Sequence, residues 1–449
     1  MNMSKEDVLS VLETVLSKST ADQCETYFNG ISWGLTRYAN SYIHQNVVED
    51  NAELTVRVVF GKKVGKAKTN QLTPESVTEV IKRAEKIAKA QKEIPDFVSL
   101  PEPTPISSVK GFFKETAAVT PEDRASVVKA CLHQAEDKGI ETVSGAYYTG
   151  TEELAAMNSL GIEAYFKGTI SSFKMNARLE GGTGLAQDFS RNHKDLNPEA
   201  LTEKACKKAF ACRKTEKVPP GVYPVILEET AVCEMLGYLA TMAFGAQAYQ
   251  EGRSILSEHM GEKIAGENIT IWDDGLNEDG FPMPFDPEGV GKQKIDLVSH
   301  GIGQNVVYDS YYAHKVGKKS TGHAVDLPIA MGPLPTNLFM EKGTLSTDDL
   351  ISQCEKGILV TRFHYTNPMH RLKTIITGMT RDGTFLIENG DIVKGLKNLR
   401  FTQSITDALN KVEGISDTWG IMRMEYLKVA ISAPALLMRE FTFTGATSF

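Results

Sequence analysis

Gly221–Gly252, GVYPVILEETAVCEMLGYLATMAFGAQAYQEG, reads as a strand, a turn and a buried helix. Pro219, Pro220 and Gly221 close off the charged segment before it, and Val222–Leu227 is a short apolar run. Thr230 is placed to cap a helix from Ala231 to about Ala248. Cys233, Glu234, Gly237 and Tyr238 fall near its start. A helix of Ala, Met, Leu, Phe and Gly with one early acid is either plain core or the wall of a site, and the rest of the chain has to decide between them.

Upstream, Ser4 opens an amphipathic helix to about Leu16. The hydrophobic period then drops to two from Cys24 to Asn70, which predicts a meander of about four strands. Its turns are expected at Asn29-Gly30, Glu49-Asp50-Asn51 and Gly61-Lys62-Lys63. Thr73, Pro74 and Glu75 mark the start of a second helix. After a connector with Pro101, Pro103 and Pro105 the design returns. A helix starts at Thr120-Pro121-Glu122, a meander spans Glu141–Ser190, and the helix LNPEALTEKACKKAFACRK matches LTPESVTEVIKRAEKIAKA in register. Asn40-Ser41 and Asn158-Ser159 hold comparable places in the two meanders. The pattern predicts a duplicated helix–meander–helix unit, 1–90 and 118–215, within an N-terminal α/β domain of residues 1–218.

Downstream, residues 219–449 are richer in glycine and strand signals, which predicts a separate β-rich domain of mainly antiparallel sheet. Ser346 or Thr347 caps a helix to Lys356, and GILVTRFHY is a strand. Arg381-Asp382-Gly383 and Glu388-Asn389-Gly390 are expected to be hairpin turns. A short helix from Ile405 to Val412 and strands around Met422–Ile431 and Ala435–Phe443 complete an α+β fold.

With 449 residues the chain can bury more than one core. Its six cysteines are scattered with no CxxC pair, a reduced, cytoplasmic pattern. MNMSKEDVLSVLETVL predicts no signal peptide or anchor, and no stretch approaches 18 apolar residues, so no membrane partner is expected. The net charge of −8 is dispersed, which argues against nucleic acid, and Lys315, Lys318 and Lys319 read as a solvated loop.

No phosphate loop, dinucleotide fingerprint, GxSxG or HExxH is present. His364 and His370 straddle Thr366-Asn367-Pro368 and could share a metal, but no carboxylate or cysteine stands at ligand spacing, so ordinary hydrogen-bonded histidines are expected. Cys233 near a helix start could be an activated thiolate, yet the adjacent Glu234 would raise its pKa and a small buried residue is the plainer reading.

RYANSYIHQN (Arg37–Asn46), FDPEG (Phe285–Gly289), DSYYAHKVGKKSTGHA (Asp309–Ala324) and FLIENGDIV (Phe385–Val393), in this order, resemble the TldD/PmbA family of peptidase-related proteins. Its PmbA branch is also called TldE and described as a modulator of DNA gyrase. The resemblance implies two domains, and dimers enclosing a central cavity. In the TldD branch the motif helix carries His-Glu-x-x-x-His with a later cysteine completing a zinc site. The matching positions here are Cys233, Glu234 and Tyr238, so only the acid survives, and SDTWGIMRMEYLKV lacks the third ligand. Without zinc to acidify a water, Glu234 has nothing suitable to deprotonate.

The resemblance therefore implies a PmbA/TldE-like, non-zinc subunit with no metal or cofactor of its own. Its expected partner is a TldD-like zinc subunit, in a homodimer or heterodimer acting on unfolded or modified precursor peptides. Phe281 and Phe285 are expected to line the substrate cavity, and sheet edges could take an extended peptide. Two alternatives remain open: a self-sufficient hydrolase using Cys233 or an atypical metal site, and a non-catalytic peptide-binding protein.

Overall fold

The computed structural model describes residues 3–326, 331–424 and 428–446, and its first half runs twice through one order of elements. First come α1 (Lys5–Lys18), β1 (Gln23–Ala39), β2 (Tyr42–Phe60), β3 (Lys63–Thr69) and α2 (Pro74–Ala90). After a one-turn α3 (Lys114–Ala117), α4 (Pro121–Asp137), β4 (Thr142–Asn158), β5 (Glu163–Leu179), β6 (Gly182–Ser190) and α5 (Pro198–Ala211) repeat the order. The helix starts follow local chemistry. Ser4 with Asp7 and Thr120 with Asp123 form reciprocal caps, while Thr73, Thr120 and Asn197 each precede a proline.

Each meander has three long strands where the turn signals suggested about four in the first. Asn29-Gly30 and Glu49-Asp50-Asn51 lie inside β1 and β2, paired to each other. Gly30 is needed for clearance, since a Cβ there would sit 2.8 Å from the Phe28 ring. The chain reverses instead at Asn40 and Ser41, whose φ of 50° and 62° are the left-handed pair a two-residue hairpin demands. The six antiparallel strands form one sheet in the order β3-β2-β1-β4-β5-β6, so the two halves join through β1 and β4. All four long helices cover one face. Val8, Leu12, Val80 and Ile81 pack on Leu54 and Val56, and Val128 and Ala205 on Phe173 and Met175. The other face carries Tyr27, Leu154 and Phe166, which pack with Phe285 from the second half.

That second half begins with β7 (Gly221–Leu227), α6 (Glu229–Ala243), α7 (Ala246–Gln250) and α8 (Leu256–His259). β8 (Ile271–Asp273), β9 (Ile295–Ser299), β10 (Ile302–Gly303), α9 (Ser310–His314), β11 (Asn337–Met340) and α10 (Thr347–Ser352) follow. Next are β12 (Lys356–His370), β13 (Ile375–Glu388), β14 (Asp391–Gly395), β15 (Leu399–Ser404) and α11 (Ile405–Leu409). β16 (Val412–Ile415), β17 (Gly420–Met424), β18 (Val429–Ala433) and β19 (Leu436–Ala446) end the described chain. One sheet runs β10-β9-β8-β11-β18-β17. In the other, β12, β7, β19, β15 and β13 close on themselves because β12 also pairs with β13. The pairings are antiparallel except β11 with β18 and β12 with β7. The fold is α+β.

Several local expectations in this half shift. α6 starts two residues before the expected Ala231, at Glu229, with Glu228 rather than Thr230 in the cap position. It stops at Ala243; Gly245 is extended, bridged to Val307, and passes so close to Pro333 that a Cβ would lie 2.3 Å from its carbonyl oxygen, and α7 restarts the helix. α10 ends at Ser352, with Lys356 already in β12. Arg381-Asp382-Gly383 is an irregularity inside β13, with left-handed φ at Asp382 and Gly383, whereas Glu388-Asn389-Gly390 does turn into β14. The strand expected over 422–431 is two antiparallel strands, β17 and β18; residues 425–427 lie outside the described ones.

Candidate functional site

α6 is wedged between the two sheets of the second half, against β7, β12, β17 and β18, so its successive side chains meet different walls. Adjacent helical residues point about 100° apart. Cys233 is fully buried, its sulfur 3.5 Å from the carbonyl oxygens of Gly420 and of Ile431. Burial, with Glu229 and Glu234 nearby, pushes its thiol far above the ordinary value, the opposite of an activated nucleophile. Glu234 points to β12, where its carboxylate accepts the Phe363 N–H at 3.0 Å. Burial raises its carboxyl to about 7, against the pull of Arg362 and Lys174. Tyr238, one turn on, donates its hydroxyl to the Thr366 carbonyl. Cys233 and Tyr238 thus spend their polar atoms on separate backbone carbonyls. This set does not fit a zinc ion, which needs its donors converging on one point.

The first turn of α6 has no side-chain cap, because the Glu228 carboxylate is taken by buried Lys208. His364 and His370 do not straddle a turn. Both lie in β12, opposite Met379 and Ile375. Among the described residues no three His, Cys, Asp or Glu side chains are grouped to hold a metal.

The other polar concentration lies where the open face of the six-stranded sheet meets the loops between β8 and β11. Phe285 is not at an accessible surface there: it is 1 % exposed and packs with Tyr27, Leu154 and Phe166. Phe281 does line a cavity, beneath the guanidinium of Arg191 at 4.9 Å. Glu152 is held between Arg191 and Arg423, the latter at 2.7 Å, and although burial opposes it the two guanidiniums keep its carboxyl well below the usual range. A second cavity of about 250 Å³ adjoins the first, sharing Tyr27, Pro287, Ala324, Val325 and Asp326. In its wall Arg57 reaches Glu25 at 2.7 Å and Glu288 at 2.9 Å. Asp326 takes Lys66 and Lys68. Burial and the neighbouring Glu288 push both Glu25 and Asp309 up to about 7, Arg57 pulling Glu25 the other way.

FDPEG and DSYYAHKVGKKSTGHA meet in this wall. Glu288 accepts from the Ser310 hydroxyl at 2.7 Å and the Ser310 N–H at 2.9 Å, and Asp286 accepts the Ala324 N–H at 2.7 Å. His323, wholly buried, is 2.7 Å from Asp273. Residues 220–445 match the model of the PmbA/TldA metallopeptidase C-terminal domain, and 114–213 that of the central domain. The chain belongs to the TldD/PmbA family. Among family members, a metalloprotease TldD homolog of Buchnera aphidicola is 24 % identical over 99 % of this chain and 96 % of its own. A metalloprotease PmbA homolog of Haemophilus influenzae is also 24 % identical, over 82 % and 81 %. Identity is thus even between the two branches. The crystal structure of TldE from Thermococcus kodakarensis superposes with a TM-score of 0.87 at 21 % identity, covering 98 % of this chain and 99 % of that one, a likeness of fold.

The cleft residues Tyr27, Arg57, Glu152, Arg191 and Arg423 were not singled out from the sequence. One signal stood there: Glu25 and Glu152 interrupt apolar strand stretches, CETYF and TGTEELAAM, where a solvent-facing alternation alone does not require an acid.

Proposed function

We propose that this chain is the TldE-like, non-zinc subunit of a cytosolic peptidase, acting with a TldD-like zinc-bearing partner on unfolded or modified precursor peptides. The observation that carries the reading is the divergence at α6. The Cys233 sulfur is sealed against Gly420 and Ile431, Tyr238 is tied to Thr366, and Glu234 faces a third direction on β12. Zinc, when held by the partner, supplies an acidified water. What this chain supplies is the cleft between its sheet face and the loop from Phe281 to Asp326, with Phe281 and the Glu152–Arg423 pair in its lining.

Co-expression with a TldD-like chain from the same genome tests it. A mixed dimer that cleaves unfolded peptides is expected. Homodimers only, with no gain of activity on mixing, overturn it.

The sealed Cys233 speaks against the self-sufficient thiol hydrolase. A thiol reagent should leave Cys233 unlabelled in the folded protein, and Cys233→Ser should leave the activity of the mixed dimer unchanged.

A further inference from the structure

Residues 362–381, RFHYTNPMHRLKTIITGMTR, hold four arginines and lysines and no aspartate or glutamate, on a chain whose net charge is −8. They form the end of β12, the start of β13 and the turn between them. Residues directly opposite on adjacent strands share a face. Arg362 therefore stands beside Arg381, and His364, Met379 and Arg400 form a row across β12, β13 and β15. Phe363 and Phe401 point the other way, into the core. The charges that bear on His364 are those of Arg381, Arg362 and Lys174, against that of Asp382. Arg362 already holds Asp382 at 2.7 Å, and Glu234, near Lys174, accepts the Phe363 N–H. Arg371, Lys373 and Arg400 are exposed, with no ion pair among the described residues. Backbone strain marks the same place. Tyr365 stands where the β12 register shifts, with a φ of 49°, a left-handed conformation unfavourable for a bulky residue. Its ring meets His364 at 4.4 Å yet is turned outward, and Tyr365 is 75 % exposed and Met369 65 %. Tyrosine, methionine and arginine with few carboxylates is the composition of a binding surface.

We infer that this face of the β12–β13 hairpin docks an acidic, extended polypeptide segment. Its carboxylates meet Arg371, Lys373, Arg381 and Arg400, and its apolar side chains pack on Tyr365 and Met369. The hairpin brings no acids of its own to these bases, so charge complementarity requires them of the partner. From Arg362 to Arg371 the strand spans about 30 Å, which matches an extended segment of about nine residues. Nucleic acid is the poorer match, because the patch is short and the rest of a chain at −8 repels a long polyanion. The inference does not rest on the peptidase reading, since it needs neither a zinc-bearing partner nor cleavage.

Fluorescence anisotropy of the full chain at about 0.1 M salt tests the proposal with a labelled peptide, acetyl-Glu-Phe-Glu-Ala-Glu-Phe-Glu-Ala-amide, and with its counterpart carrying lysine for glutamate. The acidic peptide should bind, and the lysine peptide should bind at least about tenfold more weakly. Arg371→Glu with Lys373→Glu should weaken the acidic peptide about tenfold, and so should Tyr365→Asn. These positions are exposed, and asparagine tolerates the left-handed backbone, so both variants should keep the melting temperature. Lys318→Glu with Lys319→Glu, in an exposed loop elsewhere, should leave binding unchanged. No binding of the acidic peptide, equal affinity for the two peptides, or unchanged affinity after the Arg371 and Lys373 reversals overturns the proposal. An equal loss after the Lys318 and Lys319 reversals overturns it too, by showing attraction to charge in general. Octathymidylate bound as tightly as the acidic peptide, and lost in the same variants, assigns the face to nucleic acid and overturns the acidic polypeptide.

Discussion

Around Cys233 the chain seals a sulfur against two backbone carbonyls, whereas around Arg57 it gathers Glu25 and Glu288 on one guanidinium with Asp309 close by. The first region has the sequence of a motif helix and the packing of a core. The second is assembled from two separated motifs and the first sheet, and it holds cavities, buried charge and acids raised by burial. The difference lies in where the neighbours come from. α6 is enclosed by strands of its own half, which fix each side chain separately. The cleft draws Glu25 and Arg57 from the first sheet and Glu288, Asp309 and Asp326 from loops more than 200 residues later, so its chemistry exists only once the two halves meet.

Breaking the cleft should cost most. Glu152→Gln removes an anion that Arg191 and Arg423 share and should destabilise the fold by about 3–5 kcal/mol, read from the urea midpoint. A loss under about 1 kcal/mol would mean the cleft charges are solvated, as surface pairs are. Rebuilding the motif on α6 should cost less and yield nothing. Cys233→His with Tyr238→His overfills a fully buried position and should destabilise by about 1–3 kcal/mol without zinc uptake, checked by melting with and without zinc chloride. A zinc-dependent rise in melting temperature would show that the donors can converge after all.

The smallest effect is read through pH. The Glu234 carboxyl rises from its ordinary 4.5 to about 7 in the fold, burial outweighing Arg362 and Lys174. The folded state therefore holds a proton that the unfolded chain has shed. Its contribution is complete below about 4.5 and is lost as pH rises through about 7. Glu25 and Asp309 act in the same direction. Stability should thus fall between about pH 5 and 7, each group adding at most about 1.4 kcal/mol per pH unit. Glu234→Gln, which keeps an acceptor for the Phe363 N–H, should flatten the slope in a urea series at several pH values. An unchanged slope would place Glu234 in solvent.

Helix starts were legible because their chemistry is local. Thr73-Pro74 and Thr120-Pro121 begin α2 and α4 where the residues say they should. Glycine turn signals were read less well, because a glycine serves either reversal or clearance and the sequence does not say which. Gly30 clears Phe28 inside β1, and Gly383 would set a Cβ 2.4 Å from the Thr361 hydroxyl inside β13, while Gly390 does turn the chain. At the site, Cys233 and Glu234 are neighbours in sequence and face different walls in the fold. FDPEG and DSYYAHKVGKKSTGHA, quoted only for their resemblance, are the pieces that build the cleft wall. Phe281 and Phe285 look alike in the sequence as apolar loop residues, yet Phe281 lines a cavity and Phe285 is in the core between the halves.

We propose that α6 assembles no zinc site of its own. Metal content by plasma mass spectrometry, measured together with peptide cleavage on the purified chain alone and after mixing with a TldD-like subunit, tests it most directly. No stoichiometric zinc and no cleavage are expected of the chain alone, with about one zinc per mixed dimer and cleavage after mixing. One zinc per chain with peptide cleavage in the absence of a partner would contradict it.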